Sequence, residues 1–210
     1  MIYCFKKVLR AFKILALITF LLNGQSDFLF NNISVNDGLS ESTVKVVYED
    51  KDGFIYFGTE NGLDLYNGYE FENFQMNSFD TTTIFGNKIS TIYQSQKNKL
   101  WLGTELGITV FNLNDRSFSR PSELRSTESR DLANSDVIIE DDYDNIWLKI
   151  PTSGSIYRYN TNTNKTLCIN CSSNSEMGTS KGTYLYSDKN RGVWVGSENG
   201  LFRYNSQKNE

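Results

Sequence analysis

Leu100-Trp101-Leu102-Gly103-Thr104-Glu105-Leu106-Gly107-Ile108-Thr109-Val110-Phe111-Asn112 reads as an aromatic strand, a glycine-bounded turn and a second strand. Versions of it begin at Ile55-Tyr56-Phe57-Gly58-Thr59-Glu60-Asn61-Gly62-Leu63, at Ile146-Trp147-Leu148 and at Val193-Trp194-Val195-Gly196-Ser197-Glu198-Asn199-Gly200-Leu201. The leading aromatic falls at 56, 101, 147 and 194, a period of 45 to 47 residues. Strand-like units recurring at such a period predict a propeller or array, each unit burying its apolar face against its neighbours.

Working outward, each unit is expected to hold four short strands. In the first, Thr43–Glu49 alternates, Asp50-Lys51-Asp52-Gly53 turns, and Phe54–Thr59 is the second strand. Leu63–Tyr66 is the third, Asn67-Gly68 a tight hairpin and Tyr69–Phe74 the fourth. Period-two alternation bounded by Asn-Gly and Asp-Gly is a hairpin signal. The second unit repeats it through Ser117–Ser119. The third is placed at Asp136–Glu140, Ile146–Ile150 and Ile156–Tyr159, and the fourth at Thr183–Tyr186, Val193–Gly196 and Leu201–Tyr204. No stretch carries a helical period, so the class is all-β, with four four-stranded repeats in an incomplete β-propeller. Tyr56, Trp101, Trp147 and Trp194 read as core, since burying a large aromatic is worth up to about 5 kcal/mol. Gly58, Gly103 and Gly196 are expected to let the strand bend where blades crowd the axis. Lys149 takes that place in the third unit, and the turn Pro151–Ser155 is longer than its counterparts.

The 210 residues are 39% apolar and 14% aromatic, enough for a core. Lys6, Lys7, Arg10 and Lys13 lie in the first 26 residues, which hold no acid; elsewhere 17 basic residues stand against 25 acidic ones. That balance argues against nucleic-acid binding, which rests on phosphate neutralisation. The basic start, the apolar run Ile14–Leu22 and small residues at Gly24 and Ser26 form the three-part pattern of a secretory signal. Cleavage after Ser26 is expected, with an uncleaved anchor reaching back to Val8 as the alternative. The domain reading is therefore a signal peptide at 1–26 and a partial propeller at 27–210, with repeats at about 38–80, 84–130, 134–175 and 181–210. The expected location is the periplasm, or the periplasmic face of the inner membrane.

The series Gly38-Leu39-Ser40, Val44, Val47-Tyr48-Glu49-Asp50, Asp52-Gly53-Phe54-Ile55-Tyr56-Phe57-Gly58-Thr59, Asn61-Gly62-Leu63 and Tyr66-Asn67 resembles the two-component regulator propeller repeat. Over about residues 28–205 the chain is similar to the periplasmic sensor region of Bacteroidetes-type hybrid two-component histidine kinases. The resemblance implies seven-bladed propellers, a membrane helix and a kinase further along, and control of polysaccharide-utilisation genes by carbohydrate fragments. Residues 28–35 would then pair with the last blade of a complete ring. The implied partners are an oligosaccharide or other small-molecule ligand and the remainder of a sensor kinase or a homodimer partner. A membrane would be met only through an uncleaved N-terminal segment or a further C-terminal region. A stand-alone secreted binding propeller and a non-functional truncated fragment are the alternatives.

The chain has no histidine, which excludes a kinase phosphoacceptor, a Ser-His-Asp set and a histidine metal site within it. A non-catalytic role without cofactor is expected. Asp50-Lys51-Asp52-Gly53 and Asp141-Asp142-Tyr143-Asp144-Asn145 carry alternate acids, but neither has the Glu that ends a calcium loop, so they are expected to be turns rather than metal sites. Cys168 and Cys171 are expected to form a local disulfide in an oxidising compartment. Because blade strands alternate in direction, the second-to-third-strand turns and the inter-blade linkers share one face. That face makes Glu60, Asn61, Glu105, Ser153, Glu198 and Asn199 candidate ligand-binding residues, with Phe79 or Phe85 available to stack on a sugar ring.

Overall fold

In the computed structural model, residues 29–124, 132–169, 171 and 183–205 are described. The export signal expected at 1–26 lies outside them, as do 125–131 and 172–182 of two inter-blade linkers. The chain divides after Asn32, and the repeats lie in the unit that follows.

That unit is four antiparallel sheets, each a meander in chain order. Blade 1 holds β1 (Val44–Glu49), β2 (Ile55–Thr59), β3 (Gly62–Tyr66) and β4 (Phe71–Phe74). Blade 2 holds β5 (Ile89–Gln94), β6 (Lys99–Thr104), β7 (Gly107–Asn112) and β8 (Ser117–Ser119). Blade 3 holds β9 (Val137–Glu140), β10 (Asn145–Lys149), β11 (Ile156–Asn160) and β12 (Lys165–Cys168). Blade 4 holds β13 (Tyr184–Ser187), β14 (Val193–Ser197) and β15 (Gly200–Arg203). Among the described residues the only helical elements are single 3₁₀ turns at Val35–Asp37 and Ser122–Leu124, and no strand forms in 29–35. The fourth strand of blade 3, Lys165–Cys168, was not among the expected strands. It has neither the aromatic nor the glycine that marks its neighbours, and it is held by pairing with β11.

The first strands pack in series, β1 on β5, β5 on β9 and β9 on β13, which puts them on the inside of an arc. Three apolar cores fill the gaps between blades, and each joins a second-strand aromatic to the next sheet. Tyr56 packs with Ile92, Leu100 and Leu102, and Trp101 with Ile138, Ile146 and Leu148. Trp147 packs with Leu185, Val193 and Val195. Along β2, β6, β10 and β14 the aromatic therefore faces forward and its two flanking apolar residues face back, as the period of two requires.

One position shows where the arc ends. Ile92, Ile138 and Leu185 occupy equivalent places on β5, β9 and β13, face the preceding blade and are 4 to 8% exposed. Val47, their counterpart on β1, has no preceding blade and is 59% exposed. At the other end Tyr184 and Tyr186 of β13 face forward and are exposed. The glycines follow the same logic. A Cβ on Gly58 would lie 2.5 Å from Val46 of its own blade and 2.7 Å from Ile89 of the next, and one on Gly103 would lie 2.6 Å from the Ser135 carbonyl and 2.7 Å from Thr91 of its own blade. On Gly196, with no following sheet, it would meet only Tyr184 at 3.7 Å. The crowding comes from the blade's own first strand and from the next blade together, and the propeller is incomplete. In blade 3 Lys149 takes the glycine place, and its ammonium reaches Asp136 at 2.9 Å.

Candidate ligand-binding face

The turns between second and third strands share one design. Thr59 Oγ1 donates to the Gly62 carbonyl (2.9 Å) and accepts from the Asn61 amide (2.9 Å). Thr104 makes the same pair with Gly107 and Leu106, and Ser197 with Gly200 and Asn199. The turn glycines have φ of 118° to 132°, a region that disfavours side chains. The hydroxyl at the strand end and the closing glycine are thus fixed by turn geometry. The acid between them is left to vary in role.

Those roles differ in each blade. Glu60 is exposed and pairs with Lys45 at 3.0 Å; the hydrogen bond from that ammonium holds its carboxyl below the usual range. Glu105 is turned inward onto the linker, its carboxylate accepting from the Asn87 amide (3.1 Å) and the Lys88 amide (2.8 Å). Asn61 Nδ2 reaches the Ser40 carbonyl at 3.4 Å. Ser153 Oγ donates to Ser155 Oγ (2.9 Å) within the longer blade 3 turn. Glu198 and Asn199 lie on the exposed blade 4 turn, where the Asn199 amide donates to Ser197. Phe79 is fully exposed, whereas Phe85 carries the Arg120 guanidinium 4.0 Å above its ring.

Asn87 is the residue the sequence did not single out. Its carbonyl accepts from the Gly62 amide (2.7 Å), its amide donates to Glu105 and its side chain accepts from the Met76 amide (2.7 Å). It therefore joins the turns of blades 1 and 2. On the next linker the Asn134 amide donates to the Thr104 carbonyl at 2.7 Å. Turns and linkers do share a face, as the strand directions require. The expected residues of blades 1 and 2 are brought together there through Asn87, with Glu60, Asn61 and Lys88 left to present polar groups outward.

The opposite face carries the first hairpin turns, where the acidic loops are occupied internally. Asp50 accepts from the Asp52 and Phe54 amides (both 2.9 Å) and from the Tyr56 hydroxyl (3.2 Å). Asp141 accepts from the Tyr143 amide (2.8 Å) and Trp147 Nε1 (2.8 Å). Asp188 accepts from the Asn190 amide (2.8 Å), the Gly192 amide (2.9 Å) and Trp194 Nε1 (2.8 Å), and the indole hydrogen bond depresses its pKa. These carboxylates close the turn and hold the core ring at once. On this face blades 3 and 4 enclose a polar cleft of about 460 Å³ lined by Asp142, Tyr143, Asn190, Arg191 and Arg203. Arg191 is drawn towards Glu140 (3.5 Å) and Asp142 (3.6 Å), and burial raises the Glu140 pKa. No group of three or more metal-ligating side chains occurs among the described residues. Cys168 and Cys171 sit with Cα atoms 5.8 Å apart and their sulfurs in bonding contact, within the reach of a disulfide.

Comparison with known proteins agrees with this geometry. Residues 38–61 match the two-component regulator propeller family, over β1, β2 and the start of the turn that holds Glu60 and Asn61. Histidine kinase P4 of Formosa agariphila is 37% identical over 59 residues, which is 28% of this chain and 4% of that protein. The extracellular domain of a hybrid two component system, BT3049 of B. thetaiotaomicron, superposes with a TM-score of 0.61 at 20% identity over 88% of this chain and 31% of its own. Virginiamycin B lyase from Staphylococcus aureus shares the fold at a TM-score of 0.56 and 13% identity, over 79% of this chain and 53% of the lyase. The chain thus spans a small part of the two-component proteins it matches, and its likeness to the solved structures is one of fold.

Proposed function

We infer that this chain, whose residues 38–61 are a two-component regulator propeller repeat, is a ligand-sensing segment of an extracytoplasmic two-component sensor and that its ligand is a carbohydrate fragment. The observation that carries the reading is the co-occurrence of that repeat with a histidine-kinase relative of matching sequence. The loop face supports the ligand class. Glu60, Asn61 and Lys88 offer carboxylate, amide and ammonium groups suited to hydroxyls, and Phe79 offers an exposed ring for stacking on a pyranose. The role is recognition without catalysis. The chain contains no histidine, and its buried turn carboxylates are consumed by amide, hydroxyl and indole donors. Fold alone decides nothing here, since lyases share it.

Signalling would require the ligand to bind one arrangement of blades more tightly than another, because a ligand with equal affinity for both shifts nothing. The inter-blade linkers are the natural place for such a difference, since Asn87 ties the ligand-facing turns of two blades into one hydrogen-bonded unit. The test is a titration of the sensor protein with defined oligosaccharide fragments. Saturable binding that weakens at least tenfold when Glu60, Asn61 and Glu198 are changed together to alanine supports the reading. Binding unaffected by that triple change places any ligand elsewhere and removes it.

A further inference from the structure

Three of the four blades use one device: an Asp in the first hairpin turn accepts from the polar atom of the ring six residues later. The pairs are Asp50 with Tyr56, Asp141 with Trp147 and Asp188 with Trp194. The same Asp also accepts from the amides two and four residues after it. Blade 2 breaks the pattern. Ser95 stands in the Asp position and its hydroxyl donates to the Lys99 carbonyl (3.3 Å), and it does not meet the ring. Trp101 is 3% exposed, and among the described residues its Nε1 has no hydrogen-bond partner. A buried donor left unsatisfied costs about 1–3 kcal/mol, so the position calls for an acceptor.

Ser95 and Trp101 line the same cavity, about 170 Å³, between blades 2 and 3. A single water, at about 30 Å³ of liquid volume, would not fill it. Its charged lining is Lys97, Lys99 and Arg120 against Glu140. Lys97 is paired with Asp144 at 2.7 Å, and the Glu140 carboxylate is held by the Gln96 amide at 2.8 Å and by Arg191. The lining thus carries three cationic side chains to one acid, with Lys97 and Glu140 both already paired.

We propose that this cavity is a binding site for a small free carboxylate, which takes the place of the missing Asp side chain and accepts the Trp101 indole N–H. The amides at the positions that serve the Asp in other blades belong here to Lys97 and Lys99, so one carboxylate oxygen meets the turn and the other meets the indole, as Asp141 does in blade 3. The site is on the first-hairpin side of the blades and does not depend on the carbohydrate reading of the other face.

The probe is formate, followed on the full chain by the Trp101 indole N–H resonance, assigned by linking its ring protons to the sequentially assigned Trp101 backbone so that no variant is needed. Formate is expected to shift that resonance saturably, while chloride at equal ionic strength leaves it in place. A three-atom ion is limited to half-saturation at about 1 mM or weaker. Ser95→Asp supplies the carboxylate from the chain. It is expected to move the resonance in the same direction, to abolish the formate titration and to raise the denaturation midpoint. An indole resonance indifferent to formate overturns the proposal, because the occupant is then water. So does an equal response to chloride, or a formate titration that survives Ser95→Asp.

Discussion

Adding one methyl group at three equivalent glycines tests whether the second strand is crowded where its blade is packed by a following one. Gly58, Gly103 and Gly196 hold the same place in their blades. What differs is the neighbour. At Gly103 the new Cβ would lie 2.6 Å from the Ser135 carbonyl and 2.7 Å from Thr91 Cγ2, and at Gly58 it would lie 2.5 Å from Val46 Cγ1 and 2.7 Å from Ile89 Cγ2. Those separations are about 1 Å inside normal carbon contact, so side chains or the blade itself must move. Overpacking of this kind costs about 1–3 kcal/mol. At Gly196 the nearest atom is 3.7 Å away, and replacing a strand glycine by alanine there stabilises by about 0.5 kcal/mol through the unfolded chain. For a chain of this size, 1 kcal/mol corresponds to about 2–4 °C in Tm. Gly58→Ala and Gly103→Ala are therefore expected to melt about 2–12 °C lower, and Gly196→Ala at or slightly above the parent, in circular dichroism melts with urea midpoints as the equilibrium check. Equal losses at all three positions would mean that the glycines serve strand bending, and the crowding account would fall.

Other substitutions probe the individual contacts. Glu105→Ala is expected to destabilise by about 1–2 kcal/mol in urea denaturation, because two linker amides lose a charged acceptor, whereas Glu60→Ala, losing one exposed ion pair, should leave the urea midpoint close to the parent's. Equal effects would contradict the separate roles given to these two acids. Burial raises the Glu140 pKa, so the folded state holds its proton to higher pH than the unfolded chain does. That contribution is fully present below about pH 4.5 and is lost as pH rises through the folded value. The Tm of Glu140→Gln minus that of the parent should accordingly grow from pH 4.5 upward, and a gap that shrinks would refute the sign. Asp188 works in the opposite sense, its hydrogen-bonded carboxylate lending stability that disappears as pH falls below the ordinary Asp range. Alkylation of the unreduced, denatured protein followed by mass measurement should find Cys168 and Cys171 protected, and two added alkyl groups there would show free thiols.

How much of this was legible in the sequence depends on whether a residue's partners lie within its own repeat. Tyr56, Trp101 and Trp147 declare themselves because each blade with a described successor buries the same ring, and their spacing survives small changes in loop length; Trp194, expected in the core with them, is only partly buried at the open end of the arc. The Thr-Glu and Ser-Glu turns are equally visible, yet the common Glu misleads. The sequence cannot show that Glu105 turns in to meet the Asn87 and Lys88 amides while Glu60 turns out to Lys45, since those partners sit in linkers with no period. Asn87 escaped notice for the same reason. Strand β12 was missed because Lys165-Thr166-Leu167-Cys168 is short and unpatterned and is defined by its partner β11. The Ser95 substitution is present in the sequence, but its meaning appears only once the other three blades show what the Asp does.

The central claim, that these blades are the sensing part of a two-component protein, is tested most directly by reading the coding DNA past the Glu210 codon. The account predicts continuation, in frame or beyond a single frameshift or stop, into more repeats of about 46 residues, a membrane-spanning segment and a histidine kinase. Downstream sequence with no such repeats and no kinase would contradict it and leave a secreted binding protein in its place.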